Sequence, residues 1–278
     1  MPAQLHHLVR TSPSSPSDRW ILILHGILGS GANWAGFARE LVDRHPDRSV
    51  VAVDLRHHGR SGKGSPPDGV DACVGDLLDW SSSVGIEPET VIGHSFGSKI
   101  ALTLPSRLDS IEQVMILDAD PGPLQLEGIA RDEVPVLRLL DLLRKAPETY
   151  RNRQQFEEML ASGGFGAAVA GWVGKNLRRR QDGLLELSSE IDRIEEMLSD
   201  HHRIDGWKLI ESPRNLQVSM CVGGRSKVVS PLSQQRMEDL QRSDPTRYSL
   251  EVIETAGHWL HVDAAEPLLQ FIGSRLRS

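Results

Sequence analysis

Short apolar runs rich in Val, Ile and Leu, each bounded by turn residues, recur at 20–25, 49–54, 90–93 and 113–118. Between them, at 33–44, 70–83 and 97–104, apolar residues fall at helical spacing, as with Val74, Leu77 and Leu78, and Gly or Pro stands near the ends. Continuous rather than alternating apolar strands, separated by helices, predict a parallel sheet covered on both faces. Two more strand-like runs, 217–222 and 248–254, come much later. Between 118 and 216 no strand signal appears, and charged amphipathic stretches at 134–145, 153–160 and 184–198 take over. The pattern predicts an α/β core formed by 1–121 and 213–278, with a helical cap, 122–212, inserted after a strand. Ser-, Pro- or Gly-rich loops are predicted at 11–18 and 62–69, with no internal repeat or low-complexity tract.

Composition narrows the class. The chain has 278 residues, 39% of them hydrophobic, enough for a sizeable core that a single α/β domain with a cap would fill. Its 31 Lys+Arg against 38 Asp+Glu give a net charge of -7, with both signs scattered, so no basic field invites nucleic acid as a partner. The longest apolar stretch, Trp20–Leu24, is strand-sized, far below the roughly 18 residues of a membrane span. Cys73 and Cys221 lie far apart without ligand-type spacing, which points to a reducing compartment and no structural zinc. The first residues hold no apolar secretory core, so a cytoplasmic protein is expected; a mature organellar one would read the same.

The sharpest chemical signal is 90–102, a buried strand, then Gly93-His94-Ser95-Phe96-Gly97, then a helix. A serine on so tight a strand-to-helix turn has strained dihedrals, and the flanking glycines remove Cβ atoms that would strike strand and helix. Such a turn lifts the Ser95 hydroxyl clear of the sheet. It also aims the first helical N–H groups, with the positive dipole end, at a developing oxyanion. A second strand, 21–24, opens into His25-Gly26-Ile27-Leu28-Gly29, where the Ile27 N–H can join that of Phe96 as an oxyanion donor. His25 is read as shaping that loop.

The base must be one of 11 histidines. His258 follows the last strand, after the serine in chain order, with Gly257 to turn the loop back; His261 is the rival. The stretch after the penultimate strand, 222–228, carries no carboxylate. Asp118, at the carboxyl end of the strand after the nucleophile strand, is therefore the expected acid, with Asp120 the alternative and Asp205 the next place to look. Phe165, Trp172 and Trp259 are candidate substrate-contacting residues.

The segments HGILGSGANW, VVAVDLRHHGRS, VIGHSFGSKIAL, ILDADPGP, VGGRSKVVSP and AGHWLHVDAAEPL together resemble the α/β-hydrolase superfamily, in its abhydrolase-type esterase and thioesterase branch, over nearly the whole chain. The resemblance implies an α/β-hydrolase fold with an inserted helical cap. It implies an acid in an Asp-x-x-Pro context, matched by Asp118 to Pro121, and a structural Asp-x-Arg-x-x-Gly-x-Ser stretch, matched by Asp54, Arg56, Gly59 and Ser61. The charged segment 186–202 departs most from bacterial members. The expected function is a serine hydrolase that cleaves small-molecule carboxylic esters or thioesters, using neither metal nor cofactor. Carbon–carbon bond hydrolysis or lyase chemistry by the same triad, and a hydrolase-like ligand-binding protein, are the alternatives. A halide- or epoxide-processing enzyme would carry aspartate at position 95.

Overall fold

The computed structural model describes residues 1–12, 18–124, 128–212 and 215–277; most of the loop predicted at 11–18, and the predicted return to the core at 213, fall outside them. The chain begins with β1 (His7–Arg10), β2 (Trp20–Leu24), α1 (Ala35–Arg44), β3 (Ser49–Val53), α2 (Val70–Val84), β4 (Pro88–His94), α3 (Phe96–Thr103) and β5 (Gln113–Leu117). An insertion follows with α4 (Pro135–Arg144), β6 (Thr149–Tyr150), α5 (Arg153–Ser162), α6 (Ala167–Val173), β7 (Leu177–Arg179), β8 (Leu185–Leu187), α7 (Ile191–Arg203) and α8 (Trp207–Ile210). The chain returns through β9 (Gln217–Gly223), α9 (Pro231–Ser243), β10 (Tyr248–Ile253), α10 (Leu260–Asp263) and α11 (Ala265–Gly273).

Seven strands form one sheet in the order β1-β3-β2-β4-β5-β9-β10, parallel throughout except where β1 runs against β3. The two-residue period of a strand splits its apolar side chains between the faces. Ile21 and Ile23 of β2 join Phe37 and Leu41 of α1 and Leu268 and Phe271 of α11. Leu22 and Leu24 join Val74 and Leu77 of α2 and Ile100 of α3 on the other face. Burial on both faces is why these strands read as unbroken apolar runs.

The insertion is not wholly helical. β6, β8 and β7 form a small antiparallel sheet, and the stretch predicted at 184–198 divides into β8 and α7. Leu185 and Leu187 alternate about Glu186, a period of two, but strands of two or three residues are too short for that period to stand out. The edge strand β1, only half-buried, was likewise silent in the pattern.

Buried polar groups lock the loops at the carboxyl ends of the strands. His25 Nε2 accepts from Leu55 N–H and His58 Nε2 from Leu28 N–H, each at 3.0 Å, so the loops after β2 and β3 hold each other reciprocally. The other ring nitrogens donate to the carbonyls of Gly26 and Arg56. Asp54 accepts from the N–H groups of Gly31 and Arg60. Arg56 pairs with Asp68 and Asp76, both 2.7 Å away, all three being buried.

The insertion is tied down by similar means. Asn176 spans both loops, donating to Leu28 O and accepting from Gly59 N–H, and Asp200 of α7 accepts from Val70 N–H at the start of α2. Lys99 of α3 donates to the carbonyls of Gly122, His201 and Ile204, at both ends of the insertion. Among the described residues no helix is long and apolar enough to cross a membrane.

Two stability predictions follow from this buried polarity. Arg56→Met would leave two carboxylates buried without their cation and should cost about 3–5 kcal/mol in urea unfolding. Burial holds His25 and His58 neutral, with pKa values pushed below the ordinary range. Below about pH 6.5 the unfolded chain binds protons that the folded chain excludes, so stability should fall on acidification, by up to about 1.4 kcal/mol per pH unit for each ring. A stability profile flat between neutrality and about pH 5 would contradict neutral burial of these rings.

Candidate active site

β4 ends at His94 and α3 begins at Phe96, leaving Ser95 alone to turn the chain. Ser95 has φ +50° and ψ -116°, a conformation that L residues rarely adopt, and its N–H is anchored on Leu117 O at 3.0 Å. A Cβ on Gly93 would lie 2.5 Å from Gly97 O, and one on Gly97 would lie 2.5 Å from Leu24 O. Only glycine allows strand, helix and neighbouring strand to approach this closely.

Asp118 follows β5 with φ +46° and is fully buried. Its Oδ1 accepts from Gly223 N–H at 3.0 Å, and its Oδ2 accepts from the Ser226 hydroxyl at 2.5 Å and faces His258 Nδ1 at 2.6 Å. The segment 222–228, which lacks a carboxylate, thus supplies two donors that hold the carboxylate of the adjacent strand. Burying a charge this deeply demands such satisfaction. His94 steadies the other side of the loop that carries His258, its Nε2–H donating to His258 O at 2.8 Å, while burial holds its own pKa well below the ordinary range.

Asp120, two residues on, is spent on structure: it accepts from the N–H groups of Gly122 and Ser230 and from the Ser233 hydroxyl. Asp205 accepts from Trp207 N–H. His261 stacks on Trp34 with ring centroids 3.9 Å apart, and burial lowers its pKa to about 4. None of the four residues Asp54, Arg56, Gly59 and Ser61 lines the cavity above Ser95.

That cavity, of about 600 Å³, lies between the sheet and the insertion and brings together Ser95, His258, Ile27 and Phe96. Phe96 is the first residue of α3, where an N–H has no intrahelical partner, and Ile27 sits on the loop after β2. Ser95 and His258 both face this cavity. Phe165, Trp172 and Trp259 also line the cavity, the last two with rings 5.5 Å apart where the insertion meets the loop after β10. The remaining wall is mostly aliphatic, including Val136, Leu139 and Leu198.

Sequence reasoning missed Lys99, Ser226, Arg225, Lys227, His201 and His202, all at the cavity wall. A lone cation in the apolar run Ile100-Ala101-Leu102, one turn after Ser95, was the signal for Lys99. Burial pushes its pKa down to about 8 despite Asp120 and Asp205 nearby. The others leave no local signature.

Comparisons with known proteins agree with this architecture. The sn-1-specific diacylglycerol lipase ABHD11 of Mus musculus is 25% identical over 257 residues, covering 92% of this chain and 80% of its own. Esterase YbfF of Escherichia coli (strain K12) is 24% identical over 277 residues, covering 97% of each. The solved structure of a marine microorganism esterase superposes with a TM-score of 0.82 at 23% identity, covering 98% of this chain and 99% of that one, which shows the same fold. Residues 21–271 match the alpha/beta hydrolase family, and the chain belongs to it.

Proposed function

We propose that this chain is a carboxylic ester or thioester hydrolase that works through an acyl-enzyme on Ser95. The observation that supports it most is the meeting, at one largely apolar cavity, of a serine on a strained turn and an imidazole 2.6 Å from a buried carboxylate.

In this reading Ser95 Oγ attacks the carbonyl carbon while His258 Nε2 takes its proton; Asp118 fixes the ring through Nδ1 and balances the imidazolium. The N–H groups of Ile27 and Phe96 receive the oxyanion, aided by the positive end of α3. Collapse expels the alcohol or thiol, which takes the proton from His258. Water, deprotonated by the same ring, then releases the acid and restores Ser95. The aliphatic wall of the insertion takes the acyl chain, with Phe165, Trp172 and Trp259 contacting substrate. Esterase and lipase relatives make an ester the first substrate class to assay.

Ser95→Ala should fold normally, lose fluorophosphonate labelling and lose turnover of p-nitrophenyl esters by on the order of 10⁶. Retention of a tenth of wild-type activity in a clean preparation would remove Ser95 as the nucleophile.

The carboxylates separate by kinetics. Asp118→Asn should lower kcat by roughly 10³ to 10⁴, as loss of an orienting carboxylate does, while Asp120→Asn should cost about tenfold or less, with circular dichroism confirming that both fold. The reverse ranking would transfer the orienting role to Asp120.

A further inference from the structure

The charged groups at the cavity wall are three cations, Lys99, Arg225 and Lys227, against one anion, Asp120, in a chain whose net charge is -7. Two of the four are committed. Lys99 uses its three N–H groups on backbone carbonyls, and Asp120 uses both oxygens on donors of the loop after it and of the start of α9. Arg225 and Lys227 are exposed and form no ion pair among the described residues. Elsewhere the arginines are mostly engaged: nearby Arg236 pairs with Glu211, and Arg247 donates to the carbonyls of Ile210, Ser212 and Leu216.

The segment that displays these two cations is held rigidly against the reacting groups. Arg225 N–H donates to Ala256 O and Ser226 N–H to Gly223 O, both at 2.9 Å, and the Ser226 hydroxyl between the two cations binds Asp118. The cations therefore flank the residue that touches the proposed acid, on a backbone segment joined to the loop that carries His258. The opposite wall, from the insertion, is aliphatic and aromatic apart from His201 and His202, whose pKa values burial lowers. Such a cavity orients a two-ended substrate, with the apolar chain toward the insertion and an anion toward the loop after β9.

We propose that Arg225 and Lys227 select esters or thioesters whose leaving group carries a phosphate. This rests on the hydrolase reading above. A phosphomonoester brings about -1.5 to -2 charges and three acceptor oxygens, matching one guanidinium fork and one ammonium, whereas a carboxylate would satisfy one of them.

The test uses two matched pairs with the same acyl chain: acyl-coenzyme A against acyl-pantetheine, and 1-acylglycerol 3-phosphate against 1-acylglycerol. The expected result is a preference of about tenfold in kcat/KM for the phosphate-bearing member of at least one pair, shrinking as salt is raised. A preference in the first pair alone identifies a nucleotide thioester as the source, and in the second alone a lipid headgroup. The double substitution Arg225→Glu, Lys227→Glu should invert the ratio within the preferred pair. Ratios near one in both pairs, or ratios unmoved by the charge reversal, overturn the proposal while fluorophosphonate labelling of Ser95 leaves the hydrolase reading standing. Absence of both labelling and turnover would overturn the two together.

Discussion

The turn at Ser95 sets the conditions that the rest of the fold must meet. A single residue at φ +50° reverses a buried strand into a helix, a conformation that costs on the order of 1–3 kcal/mol and persists only where neighbours over-determine it. The neighbours do so from three sides: Leu117 O holds the Ser95 N–H, the carbonyls of Leu24 and His25 lie against Gly97, and Gly97 and Ser98 lie against Gly93. This is possible because β4 is flanked by β2 and β5 in the middle of the sheet, with both faces of β2 packed under helices. A central parallel strand, paired on both sides, is thus a place where strain can be stored.

The carboxylate beside His258 follows the same logic. Asp118 leaves β5 at φ +46° and is sealed from solvent, so its charge must be met by donors that the protein supplies. Gly223 N–H and the Ser226 hydroxyl, from the loop after β9, do this, and His258 completes the set. Two neighbouring strand ends thereby cooperate: one offers the carboxylate, the other the groups that make its burial tolerable.

The insertion makes the site a cavity rather than an open shelf. Its attachment is polar and specific. Lys99 gathers carbonyls from both of its ends, Asn176 joins it to the two loops that His25 and His58 cross-link, and Asp200 reaches the N-terminus of α2. Lys99 stands one helical turn after Ser95, so the helix that presents the serine also positions the roof over it. The same division leaves the aliphatic wall on the insertion and Arg225 and Lys227 on the core.

The sequence by itself determined the parallel sheet, the family and the turn at Ser95, because these rest on local signals: unbroken apolar runs, helical spacing, and glycines at fixed offsets from one serine. It also named Asp118, with Asp120 and then Asp205 behind it, as candidate carboxylates; the first two share a strand end and are separated by one residue. Only the tertiary structure shows which carboxylate meets His258: Asp118 faces it across the loops after β9 and β10, elements distant in sequence, while Asp120 is held by Gly122, Ser230 and Ser233. The small sheet in the insertion, the burial of Lys99 and the placement of Arg225 and Lys227 at the cavity wall were decided in the same way. A short strand or an isolated cation has no periodicity to announce it, and its role is set by what packs against it across the chain.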